Sequence, residues 1–270
     1  MKLMPFFDFI RNALYEPMLA NIDVDDPRML DFHRHVLSRK PLLRSAFTSF
    51  YSDMARAADD SLNGQGLEIE LGSGAGFFKD VRPSVITTDL REAPYIDRVI
   101  DAQAMDLSDA SVRSIFAINV FHHLPDPDLF FSELARVLVS GGGCILVEPH
   151  IGFASRLLHT HLHKDEHYDP LVSSWKTSAI EGPMSGANQA LSYVVFDRDR
   201  AEFDRRYGDK LEIVRQTYCL NSLRYFFSGG VNFKQLLPTF LGPTLRWIER
   251  LMAPFARYVT FHQLIVIRRR

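Results

Sequence analysis

The residues in this chain best suited to chemistry cluster at Glu70 and the glycines that follow it, Gly72, Gly74 and Gly76, after a strand-like run from Gly66 to Leu71. Glycine is demanded where the backbone takes positive φ and where a ligand lies directly on the main chain, because a Cβ would fill that space. The spacing is G-x-G-x-G led by an acid, not the G-x-G-x-x-G of dinucleotide-binding folds, and an acid beside the first glycine has no role against a pyrophosphate. A ligand carrying an ammonium group suits Glu70. Asp89 ends a second strand-like run, Ser84 to Thr88. An acid at that tip, one strand-loop-helix-strand unit after the glycines, is placed to accept hydrogen bonds from both hydroxyls of an adenosine ribose. His122 and His123 follow the apolar run Ser114 to Asn119, where an imidazole can serve as a base. His159, His161, His163 and His167 crowd a polar stretch. Their spacing completes no zinc ligand set, so we expect a polar substrate-side loop and no metal.

The run Glu70-x-Gly72-x-Gly74-x-Gly76 closing a first strand resembles motif I of the class I S-adenosylmethionine-dependent methyltransferases. The segment Asp101-Ala102-Gln103-Ala104-Met105-Asp106-Leu107 resembles the family's D-A-x-x-L-P-F turn, with Met105 and Asp106 in place of the usual Leu-Pro. Glu133-Leu134-x-Arg136-Val137-Leu138-x-x-Gly141-Gly142, followed by Cys144 to Glu148, resembles the scaffold after the family's fourth strand. The resemblance implies S-adenosyl-L-methionine (SAM) as cofactor, held by Glu70, Gly72, Ser73, Gly74 and Gly76. It places Asp89 and Leu90 at the ribose, Asp101 and Ala102 at the adenine, and Asn119 at the tip of strand 4. The implied activity is methyl transfer to a small-molecule or lipid-like acceptor. His122 or His123 is then either a base for that acceptor or packing at the strand tip. Two other functions stay open on the same fold, an NAD(P)-binding oxidoreductase and a non-catalytic SAM-binding homologue acting as a partner module.

The elements that must position these residues alternate as in an α/β protein. The expected architecture is a Rossmann-like seven-stranded sheet, order 3-2-1-4-5-7-6, with helices on both faces. It has an N-terminal helical extension over 1–62, a SAM-binding domain over 63–270, and acceptor-side insertions at 149–191 and 221–258. In the extension, Met29, Phe32, Val36 and Leu37 repeat at helical spacing after Pro27, and Leu42, Leu43, Ala46, Phe47 and Phe50 do so after Pro41. These helices pack on the sheet or lid the cofactor, with packing favoured. Pro83 ends a short helix after the glycines, and the connection from Asp89 to Arg98 is too short for a full crossover. Asp126 and Pro127 start a helix that Gly141-Gly142-Gly143 stops. Strands then follow at Cys144 to Glu148, Leu211 to Cys219 and Thr260 to Ile267. Within 221–258, Ile248, Leu251, Met252 and Phe255 form an apolar helical stripe, read first as core against the sheet.

Composition bounds the class. The chain has 270 residues, 46% hydrophobic, and a net charge of −2, which suits a globular core and lacks the basic footprint of a nucleic-acid binder. Cys144 and Cys219 lie in apolar runs and read as reduced core residues, which with the absence of a signal-peptide pattern points to the cytoplasm. No apolar run is long enough to span a bilayer, and peripheral membrane contact stays open.

Overall fold

The computed structural model describes residues 13–19, 22–23, 25–26, 28–156, 167–177 and 188–270. Seven strands form one sheet: β1 Leu67–Leu71, β2 Ile86–Asp89, β3 Arg98–Val99, β4 Val112–Ile118, β5 Leu138–Pro149, β6 Leu211–Tyr218 and β7 His262–Arg269. Their order is β3-β2-β1-β4-β5-β7-β6. β1 pairs in parallel with β2 and β4, whereas β7 runs antiparallel between β5 and β6. The carboxyl ends of β1, β2, β4, β5 and β6 therefore share one edge with the start of β7.

Both faces of the sheet are covered, which is why the central strands read as unbroken apolar runs. Ile115, Ala117, Cys144, Leu146, Ile265 and Ile267 face one side. There they meet Phe130, Phe131 and Leu134 of helix α3 (Pro127–Val137) and Phe203 of helix α4 (Arg200–Tyr207). The alternate residues Phe116, Ile145, Val147, Leu264 and Val266 face the other side, against Phe50, Tyr51, Met54 and Ala58 of helix α2 (Pro41–Ser61). The two cysteines are free thiols, one on each side.

Several boundaries differ from expectation. α3 starts where expected, with the Asp126 carboxylate accepting from the Asp128 amide at 3.0 Å, but it ends at Val137. Leu138 is already strand, and Gly141 to Gly143 lie inside β5, where Gly141 takes φ 77°. Ladder pairing of Gly143 to Arg268 outweighs the stop signal that three glycines give in isolation. Ahead of α4, a short α turn at Leu191–Tyr193 runs into a π-helix, Val194–Arg198. No helix lies between β2 and β3 or between β3 and β4.

The N-terminal helices divide their roles. α2 packs on the sheet, while helix α1 (Met29–Arg39) lies over the loop after β1. Val36 and Leu37 of α1 cluster with Ala75, and Arg34 Nη1 donates to the Gly76 carbonyl at 3.3 Å. The second insertion carries helix α5 (Ser222–Phe227) and helix α6 (Gly242–Leu251). α6 packs on α5 through Leu245 and Glu249 rather than on the sheet.

Candidate active site

β1 delivers Glu70 and Leu71 to the shared edge and the chain turns at once. Gly72 takes φ 58° and Gly74 φ 52°, the left-handed region where a side chain is strained. The two glycines serve different ends. A Cβ on Gly72 would collide with the Val120 side chain, so this glycine lets the tips of β1 and β4 close together. A Cβ on Gly74 would meet nothing nearer than the Gly72 carbonyl at 3.8 Å and a Leu30 methyl at 4.0 Å. Gly74 thus floors an open cradle, roofed by α1, into which any side chain would project. The turn is pinned from within: Ser73 N donates to the Thr88 carbonyl at 2.7 Å, Thr88 N donates to Ser73 Oγ at 3.1 Å, and Gly76 N donates to the Ser73 carbonyl at 2.7 Å. The Ser73 hydroxyl also donates to the Glu70 carbonyl at 3.2 Å, so both the side chain and the backbone of Ser73 hold the loop's shape.

Glu70 is buried and its Oε2 has no hydrogen-bond partner among the described residues. Burial raises its pKa to about 8, and the Asp89 charge adds to the rise against lowering contacts from Ser73 and Tyr51. Asn119, at the tip of β4, takes φ 54° and its buried Oδ1 also lacks a partner among the described residues. Asparagine is among the few residues that adopt the left-handed region readily, and here it leaves a buried acceptor orphaned, which a ligand can satisfy. These orphaned acceptors, on the glycine turn's own strand β1 and at the tip of its neighbour β4, fit a ligand with an ammonium and further donors.

Asp89 reaches the same edge but is already engaged. Its Oδ2 accepts from Gly74 N at 3.0 Å, and Oδ1 accepts from Arg91 N at 3.1 Å and Arg91 Nε at 3.3 Å. A ribose at Asp89 must therefore share the carboxylate or displace Arg91, a side chain that sequence spacing did not flag. Ile100 N donates to the Asp89 carbonyl at 3.1 Å, which sets Asp101 beside the tip of β2. Asp101 is exposed and accepts from Gln103 N at 2.8 Å, Ala102 is buried, and Leu90 is exposed. Met105 N donates to Glu133 Oε2 at 2.6 Å, closing the turn in which Met105 and Asp106 replace the usual residues.

The histidine pair sits next to a residue the sequence reading used only as the end of a strand. Glu148, fully buried near the end of β5, accepts from Val120 N at 2.9 Å, Phe121 N at 2.8 Å and His122 N at 3.3 Å. Its Oε2 also lies 2.6 Å from His122 Nδ1. The carboxylate both shapes the β4 tip and fixes the ring, because a proton on Nδ1 donates to Glu148 and leaves Nε2 with its lone pair. His122 Nε2 is 3.4 Å from Gln189 Nε2, and the His123 ring lies alongside at 4.2 Å between centroids. His122 is buried, whereas His123 is half-buried. The signal for Glu148 was available, since an acid at a strand tip on the ligand edge follows the same logic as Asp89. Gln189 carried no such signal, because it comes from an insertion without periodicity.

Of the polar loop's histidines, His159, His161 and His163 lie outside the described residues. The His167 carbonyl accepts from Gln189 N at 3.0 Å, tying that segment to the cover over His122.

Residues 69–146 match the family model described as a methyltransferase domain. No curated relative matches the sequence. Among solved structures, the chain is similar to geranyl diphosphate C-methyltransferase from Streptomyces coelicolor A3(2), in complex with geranyl diphosphate and S-adenosyl-L-homocysteine. The identity is 15%, covering 81% of this chain and 78% of that chain, with a TM-score of 0.44. It is also similar to phosphoethanolamine N-methyltransferase 2 from Haemonchus contortus, in complex with S-adenosyl-L-methionine. There the identity is 11%, covering 88% of this chain and 60% of that chain, with a TM-score of 0.42.

Proposed function

We propose that this chain, in which residues 69–146 match a methyltransferase-domain model, is a class I SAM-dependent methyltransferase that methylates a small-molecule or lipid-like acceptor at an atom that gives up a proton. The observation that carries the reading is the open cradle on Gly74, in a turn that follows Glu70 on β1 beside Asn119 at the tip of β4, both with orphaned acceptors. SAM, when bound, supplies an electrophilic sulfonium methyl group, so the protein's task is mostly positioning. The turn from Gly72 to Gly76 lets the cofactor lie against the main chain, Glu70 meets the ammonium, and Asp89 meets the ribose. His122 then takes the acceptor's proton on Nε2, with Glu148 holding the imidazole in the tautomer that can receive it. Gln189 stands where the acceptor must arrive. Leu90, Asp101 and Ala102 border the adenine in this reading. The aromatic content of 221–258, including Phe226, Phe227 and Phe233, supports an apolar acceptor.

An untargeted mass-spectrometric screen of extracts for metabolites that gain a methyl group, run beside calorimetry with SAM and NADH, tests this directly. We expect SAM binding, weak or no NADH binding, and loss of SAM binding in a folded Gly74→Val variant. SAM affinity unchanged by Gly74→Val would overturn the cradle.

The base has its own test. His122→Asn and Glu148→Gln should each leave SAM affinity near wild type while turnover falls, by roughly 100-fold or more for His122→Asn. For Glu148→Gln the pH dependence of turnover should also move. If both variants instead lose thermal stability and SAM affinity together, the pair is packing at the strand tip.

A further inference from the structure

The outer face of the second insertion is apolar and cationic at once. Phe240, Trp247, Leu251 and Phe255 are 77%, 61%, 57% and 61% exposed, and Tyr258 follows at half exposure. Trp247 and Leu251, four residues apart, share one side of α6, and Phe255 and Tyr258 follow, exposed, in the 3-10 turn Ala253–Phe255 and the short helix Ala256–Val259. The expected stripe is thereby split. Leu251 and Phe255 point outward, whereas Ile248 and Met252 are half-buried. Leu245 and Glu249 supply the inward face.

Charge on this segment has one sign at the surface. Arg246, Arg250 and Arg257 are exposed, and none has an ion-pair partner among the described residues. The one carboxylate between Cys219 and Phe261 is Glu249, which is buried and paired with Arg224 at 2.8 Å. Aromatic side chains interleaved with unpaired arginines match a bilayer interface, where rings insert at headgroup depth and guanidinium groups meet phosphates. No helix among the described residues is long and apolar enough to cross a membrane, so such contact would be interfacial.

We propose that this face docks on an anionic phospholipid surface. The insertion leaves from the carboxyl end of β6 and returns at the start of β7, the edge that also carries Gly74, Asn119 and Glu148. Docking therefore presents the candidate site toward the bilayer. Phe153, 70% exposed, extends the apolar surface from the end of β5, where His150 Nε2 approaches the Arg257 carbonyl at 2.9 Å. The proposal goes beyond the catalytic reading and stands without it, because vesicle binding needs neither SAM nor an acceptor.

Co-sedimentation with vesicles of phosphatidylcholine alone and with phosphatidylglycerol added tests the proposal. The chain has two tryptophans, and Trp175 is buried, so a blue shift of emission on adding vesicles reports Trp247. We expect binding to the anionic vesicles, weakened by salt, with that blue shift. The double variant Arg246→Glu/Arg250→Glu should lower binding by roughly tenfold or more. Leu251→Glu/Phe255→Glu should abolish it with an unchanged melting temperature. Failure of the wild type to bind anionic vesicles, or equal binding by the variants, overturns the proposal. A concentration-dependent dimer that Leu251→Glu dissociates also overturns it and assigns the face to a second copy of the chain. Methyl transfer to a soluble acceptor that survives in both variants separates loss of docking from loss of the catalytic site.

Discussion

Glu70 has been taken out of water without being given a full set of partners, and its proton follows from that. The folded-state pKa of about 8 lies above the ordinary value of 4.5, so the protonated form is the one the unliganded fold prefers. Its contribution to stability is present in full at low pH and is lost as pH rises through that window, at about 1.4 kcal/mol per unit. A bound ammonium reverses the preference by stabilising the carboxylate. At neutral pH, cofactor binding should therefore expel a proton from Glu70. Calorimetry in buffers of different ionisation enthalpy should show a heat that varies with the buffer, and affinity should climb between about pH 6 and 8. Glu70→Gln should bind more weakly and lose the buffer dependence. A buffer-independent heat in the wild type would place the ammonium elsewhere. At this scale the sequence was informative where backbone geometry dictates the residue type. Gly72 and Gly74 need positive φ, and Asn119 is among the few side chains that tolerate it. It was uninformative about Arg91 at Asp89 and about Glu148 at His122, because tertiary contacts choose those partners and local spacing does not record them.

The elements show the same division between local rule and tertiary context. The strand order was legible because both faces of the central strands are buried, and their apolar runs are separated by turns whose residues allow few alternatives. The start of α3 was legible for a local reason too, since an aspartate cap followed by proline acts within one turn. Its end was not, because the strand that follows is fixed by pairing to β4 and β7, partners remote in sequence. α6 is the clearest case of a correct period with a wrong face. Its apolar residues do repeat helically, but a buried Arg224–Glu249 pair, in which Glu249 also accepts from Arg224 N at 2.9 Å, anchors the polar position inward. Breaking such a buried pair strands a charge at a cost of about 3–5 kcal/mol, more than exposing a leucine, so the ion pair sets the helix rotation and the stripe turns to the surface.

Across the whole molecule, the two covers over the ligand edge are joined. Lys40, at the junction of α1 and α2, is buried. Its ammonium contacts Glu16 at 2.7 Å and donates to the carbonyls of Gly230, at 3.1 Å, and Phe233. Glu16 N donates to the Asn232 carbonyl at 2.8 Å, and Tyr15 pairs with Phe233. Met18, Tyr225 and Val231 complete the apolar cluster in which α1 meets Ala75 of the glycine loop. The extension expected chiefly to pack on the sheet thus forms, with the 229–234 turn, one roof over the cradle. A roof whose parts are joined at the buried Lys40 ammonium, by backbone hydrogen bonds and through one apolar cluster moves as a unit, so a ligand beneath one part should quiet the other. Hydrogen-exchange mass spectrometry should show SAM slowing exchange both in α1 and at 229–234, although the latter makes no predicted contact with the cofactor. In Lys40→Met the protection should persist at the glycine loop and fade at 229–234. Exchange at 229–234 that ignores SAM in the wild type would show the two covers to be mechanically separate, leaving α1 alone as the lid.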